Sequence, residues 1–82
     1  MNIYVSNISF HTTEEILTEM FSHHGEVKKV SIAKDPHTGI KKGYGFVEMV
    51  STEAGHAAIE KLDGKEIQGR SLRVSPAKNN SR

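Results

Sequence analysis

The sequence predicts an α+β sandwich of βαββαβ order: four antiparallel strands arranged 4-1-3-2, with both helices on one face. Three observations predict it. Four short runs rich in β-formers alternate apolar and polar residues, and two stretches of helical periodicity separate them in strand–helix–strand–strand–helix–strand sequence. Turn-forming Gly, Pro and Asp fall between the elements. Right-handed crossovers then place both helices on the same side of the sheet and leave its other face uncovered.

Each element has its own signals. The run "NIYVSNI" from Asn2 sets Ile3 and Val5 on one face and Tyr4 on the other. In "TTEEILTEMFSHHG", Thr12 and Glu15 stand at capping-box spacing, Ile16, Leu17, Met20 and Phe21 form an apolar stripe, and Gly25 is the expected stop. "VKKVSIA" is a second strand with Val30 and Ile32 inward, followed by the turn-rich "KDPHTGIK". "KKGYGFVEM" is the third strand. "STEAGHAAIEKLDG" is a helix capped by Ser51 or Thr52, with Ala58, Ile59 and Leu62 inward, ending at Asp63-Gly64. "RSLRVS" is the fourth strand, with Leu72 and Val74 inward and Pro76 as its stop. The 82 residues predict one domain over 1–77 and a short polar tail over 78–82.

Composition narrows the function classes. With 35% hydrophobic and 26% charged residues the chain reads as an ordinary globular domain. No apolar run approaches the roughly 18 residues of a spanning helix. The first strand begins directly behind Met1, without a signal or transit peptide ahead of it, which predicts a cytoplasmic location and no membrane partner. The absence of cysteine excludes disulfides, thiolate nucleophiles and Cys-ligated metals. Net charge is only +1, yet residues 27–46 and 70–82 each carry a balance of +4 while the remainder carries −7. If the two basic segments meet in space, the domain has a positive face and a negative back.

Parity assigns the third strand. Lys42, Tyr44, Phe46 and Glu48 share one face, and Gly43, Gly45, Val47 and Met49 the other. Burying the aromatics would bury Lys42 and Glu48 with them and expose Val47 and Met49, so the opposite assignment is the consistent one. Val47 and Met49 then join Ile3, Val5 and Leu72 under the helices, and glycine at 43 and 45 lets a helix approach closely. Since the first and third strands are the central pair, Tyr4, Tyr44 and Phe46 form one exposed aromatic patch flanked by Lys42 and Arg73. Unpaired bases offer flat faces for such rings and phosphates for the cations, so single-stranded polynucleotide suits both halves of the surface. Two or three stacked bases at about 1 to 3 kcal/mol each imply micromolar binding, on the order of −8 kcal/mol.

The octamer KGYGFVEM (42–49) and the hexamer IYVSNI (3–8) resemble the two signature segments of the RNA recognition motif. The resemblance runs from Asn2 to about Ala77 and takes in "TTEEILTEMFSHHGEV", "DPHTGIKKG", "KLDG" and "GRSLRV". The single short domain with its polar tail is most similar to small one-motif bacterial RNA-binding proteins, and also to the globular part of plant glycine-rich ones, without their glycine-rich tail. The resemblance implies a ferredoxin-like fold in which Tyr4, Tyr44 and Phe46 stack on bases or sugar and Lys42 meets a phosphate. Asn7 would shape the strand end near the ligand, and Ala77 and Lys78 would lie where such domains touch a base through the backbone. It further implies a monomer acting in post-transcriptional regulation or as an RNA chaperone, with single-stranded DNA a weaker ligand and no cofactor or small-molecule substrate. Two positions depart from the family pattern: Met49 replaces a usual aromatic, on the core side, and Gly55 stands where Ala is usual, costing the helix about 1 kcal/mol.

Rival chemistries find little support in the residues. Of the five histidines, His23 and His24 are adjacent on a helix and diverge by about 100°, and His11, His37 and His56 lie in other elements, so none has metal-ligand spacing. Small enzymes of this topology hold phosphate in the loop after the first strand with an Arg, which "SNISFHTT" lacks, and Glu48 alone makes no acid/base pair. The alternative with most substance is a protein-interaction module, in which Glu14, Glu15 and Glu19 along the first helix dock a basic partner.

Overall fold

The computed structural model describes residues 1–77. The chain forms β1 (Asn2–Ser6), α1 (Glu14–Ser22), β2 (Val27–Lys34), β3 (Lys41–Met49), α2 (Thr52–Leu62), β4 (Glu66–Ile67), β5 (Arg70–Ser71) and β6 (Arg73–Pro76). The main sheet runs β2-β3-β1-β6, all antiparallel, so β6 stands where the sequence predicts its fourth strand and the 4-1-3-2 order holds. Among the described residues, no helix is long and apolar enough to cross a membrane.

Alternation builds the core. Ile3 and Val5 of β1, Ile32 of β2, Val47 and Met49 of β3 and Val74 of β6 are all buried, and Leu17 and Phe21 of α1 with Ala58 and Leu62 of α2 close over them. Met49 is fully within this layer, as its parity requires. Gly55 is buried as well, and a Cβ there would strike the Met1 side chain, so its cost in helix propensity is offset by room for a packed methionine.

Three local details differ from expectation. α1 is capped by Thr13, whose hydroxyl accepts the Ile16 N–H at 3.1 Å, and not by Thr12. Thr12 is drawn fully into the core, where its Oγ1 finds no partner among the described residues, and this removes it from the cap. The residues read as one strand over 70–75 instead break at buried Leu72, and β5 pairs with β4 in a separate hairpin. Its two-residue turn, Gln68-Gly69, has φ of 53° and 85°, as a primed turn needs.

The glycines of β3 do not admit a helix. A Cβ at Gly45 would overlap the Ser31 carbonyl oxygen and sit 3.0 Å from Ile32 Cα, so what approaches is the backbone of β2. Gly43 serves a conformation, φ 84°, within the irregular stretch where the β2–β3 register shifts between Ile32 and Lys34. There the Ile32 N–H turns to the Glu14 carboxylate at 3.1 Å, tying α1 to the edge strand. The turn joining β2 to β3 is held by Asp35, whose Oδ1 accepts the N–H groups of His37 (2.8 Å) and Thr38 (3.1 Å). These bonds hold its carboxyl below the usual carboxylate range.

Two substitutions check this account. Gly45→Ala forces β2 away from β3 and is expected to lower stability by about 1–3 kcal/mol in urea unfolding. Thr12→Val keeps the shape but removes an unpaired buried hydroxyl, and is expected to raise stability by about 1 kcal/mol in the same measurement; a loss would mean that the hydroxyl has a partner.

Candidate nucleic-acid interface

The uncovered face of the sheet carries the aromatics. With Ile3 and Val5 committed to the core, Tyr4 must point the other way, and the β1–β3 register sets it directly opposite Phe46, with Ser6 opposite Tyr44. The Tyr4 ring centroid lies 5.5 Å from that of Phe46 at an interplanar angle of 53°, and 6.1 Å from that of Tyr44 at 39°. Tilted pairs at these separations contribute about 0.5–1.5 kcal/mol each, which holds the three rings as one preset surface. Phe46 remains 46% exposed and Tyr4 and Tyr44 are half-buried, so among the described residues the platform is left open.

Polar groups surround Phe46. Ser31 of β2 lies opposite it, Lys29 and Asn2 lie opposite Glu48 from either side, and the Ala77 N–H donates to the Asn2 carbonyl at 3.0 Å. Together with Phe46 these residues line a recess of about 200 Å³. An aromatic floor with hydroxyl, amide and amine groups at its rim is suited to a flat, hydrogen-bonding ring. Lys28 Nζ stands 3.7 Å from Glu48 Oε2, an exposed ion pair worth under about 1 kcal/mol that nonetheless offsets the Glu48 carboxylate beside the rings. Sequence reasoning passed over Asn2, Lys29 and Ser31, although the inward Ile32 was signal enough to turn Ser31 outward.

The remaining predicted positions disperse around the platform. Lys42 is exposed at the irregular start of β3, and Arg73 is exposed on β6 opposite Ser6. Since β2 and β6 form opposite edges of the sheet, Lys29 and Arg73 stand on either side of the rings, while Lys41 of the first basic segment and Arg70 of the second both reach the loop after β1. Asn7, at φ 57°, donates from Nδ2 to the Ser71 carbonyl at 2.8 Å and accepts at Oδ1 from Arg70 Nε (2.9 Å) and Nη2 (2.5 Å). It shapes the end of β1 by clamping β5 to it. Lys41 donates from Nζ to the carbonyls of Phe10 and Thr12, both at 3.0 Å, bracing the β1–α1 loop. Ala77 is half-buried beside Asn2, and Lys78 lies outside the described residues. Among the described residues, no three His, Asp or Glu side chains converge as a metal site.

Comparison with known proteins agrees with this geometry. The family model of the RNA recognition motif matches residues 3–73. The chain is 50% identical over 78 residues to RbpB of Nostoc sp. (strain PCC 7120), named as an RNA-binding protein, covering 95% of this chain and 76% of that one. It is 37% identical over 75 residues to the mitochondrial glycine-rich RNA-binding protein 2 of Arabidopsis thaliana, covering 92% and 48%. Among solved structures, RNA Binding Protein PG1 superposes with a TM-score of 0.93 at 39% identity, covering 100% of this chain and 99% of that one. The Rna15 RRM with bound RNA (GU) superposes with a TM-score of 0.85 at 30% identity, covering 99% and 86%. Aromatic platform, strand order and matched sequence agree: the chain belongs to the RNA recognition motif family.

Proposed function

We propose that the protein binds a few nucleotides of single-stranded RNA on the open sheet face, with Tyr4, Tyr44 and Phe46 stacking on bases or sugars. The observation that carries the reading is the contiguous cluster of three rings on a face that the helices leave bare. Lys42 and Arg73 meet phosphates from the two sides. Ala77 and Lys78 present backbone groups to a base, and Asn7 keeps the end of β1 in shape. Single-stranded DNA, which lacks the 2′-hydroxyl, is a weaker ligand. The RNA bound by the Rna15 RRM, a structure of the same fold, supports the ligand class.

The working unit in this reading is a monomeric, cytoplasmic binding module spanning residues 1–77 with a polar tail, acting in post-transcriptional regulation or as an RNA chaperone. No catalytic step is assigned to it, since among the described residues Glu48 has Lys28 as its charged partner and no second carboxylate pairs with it. The docking of a basic protein on the acidic helix face is not favoured: Glu14 is engaged by the Ile32 N–H, and the platform aromatics are all in place.

Fluorescence titration of labelled single-stranded RNA pools tests the platform. The wild type is expected to bind in the micromolar range. Phe46→Ala combined with Tyr44→Ala should remove two stacks and weaken binding by about 2–6 kcal/mol while leaving the fold intact. Equal binding by the two proteins would refute the assignment. The salt dependence should be shallow, with a log–log slope of about −1.4 for two phosphate contacts on a single strand.

A further inference from the structure

Phe10 is the most exposed large hydrophobic residue among those described, at 68%, and it belongs to neither the core nor the platform. It is nevertheless held in a fixed loop. The Thr12 N–H donates to the Ser9 carbonyl at 3.0 Å and the His11 N–H to Ser9 Oγ at 3.1 Å, while Lys41 Nζ grips the Phe10 carbonyl from β3. A single exposed apolar side chain is ordinary on a protein surface, but one on a loop braced by Lys41 and beside an anchored Arg70 forms a preset contact surface.

Its neighbours indicate what arrives. Ile8, Ser9, Phe10, His11 and Arg70 line a recess of about 250 Å³. Arg70 is not a free surface cation: its Nε and Nη2 are anchored on Asn7 Oδ1, so the guanidinium is held beside the ring with its other N–H groups unspent on that bond. A flat aromatic face, an oriented guanidinium and an imidazole in one recess match a base with its phosphate. The recess also lies in line with the platform. It opens beyond the Ser6–Asn7 end of β1, the end that carries Tyr44, and the Ile8 N–H continues the ladder to the Gly43 carbonyl at 2.9 Å.

Resting on the single-strand reading above, we infer that Phe10, His11 and Arg70 form an additional nucleotide-binding station, at which a strand leaving the platform past Tyr44 stacks one further base on Phe10 and sets its phosphate on Arg70. Asn7 acts there as a positioning residue, through the guanidinium it orients.

The test compares trinucleotide and heptanucleotide single-stranded RNA pools of random sequence, each fluorescently labelled, on the full chain. Wild type should bind the longer pool more tightly. Phe10→Ala should reduce affinity for the heptanucleotide by about five-fold more than for the trinucleotide, the lower bound for one stacked base. Arg70→Lys, which keeps the charge but loses the fork on Asn7, should reduce the same length-dependent gain with little change in its salt dependence. Circular dichroism checks the fold of each variant. Should a variant not fold, amide shifts of wild-type residues 9–11 and 70 decide, moving with the heptanucleotide more than with the trinucleotide. Equal wild-type affinity for both pools, or equal loss on both in Phe10→Ala, overturns the station while leaving the platform standing. Failure of the wild type to bind either pool overturns the RNA reading and the station with it.

Discussion

Val47 and Met49 beneath the helices set the direction of the side chains on which the proposed binding surface depends. Strand alternation has a period of two, so a slip of one residue would bring Ile3, Val5, Val47 and Met49 into water and draw Tyr4, Phe46, Lys42 and Glu48 inward. Exposing four such side chains costs on the order of 6–12 kcal/mol. That is comparable with the whole stability of a small domain, about 5–15 kcal/mol. The core therefore enforces the platform, and the rings need no separate device to hold them outward. Their mutual tilt and spacing then follow from the β1–β3 register alone.

What the sheet does not dictate is its margins, and there hydrogen bonds from side chains take over. Asn7 clamps Arg70 and Ser71, Asp63 accepts the Val74 N–H at 2.9 Å, Glu14 takes the Ile32 N–H and Lys41 braces the loop before α1. Each joins residues far apart in the chain, and each lies at a strand end or an edge where the ladder stops. The cations follow the same geography. Placed on opposite edges, Lys29 and Arg73 frame the rings, and the modest net charge keeps long-range attraction small.

The legible part of this protein is the part that rests on local periodicity. Tyr4, Tyr44 and Phe46 could be turned outward from the sequence because Ile3, Val5, Val47 and Met49 alternate with them, and strand order followed from two right-handed crossovers. Most of the misreadings required knowledge of what lies across space. Thr12 and Thr13 offer the same hydroxyl, and only the pull of the core on Thr12 decides which one caps α1. Gly45 reads equally well as room for a helix or for a neighbouring strand, and the Ser31 carbonyl settles it. The β4–β5 hairpin had a signal in Gln68-Gly69, weaker than Asn-Gly would have been. The pairing of Asn7 with Arg70 spans 63 residues and left no local trace.

The most direct test of the central claim, that the uncovered sheet face receives the strand, is a nuclear Overhauser measurement on the protein with a bound single-stranded RNA oligonucleotide. The account predicts contacts from the ring protons of Tyr4, Tyr44 and Phe46 to base and ribose protons, with the outward amides of α1 and α2 little shifted. Ring protons that do not move, with shifts confined to the helices, would contradict it.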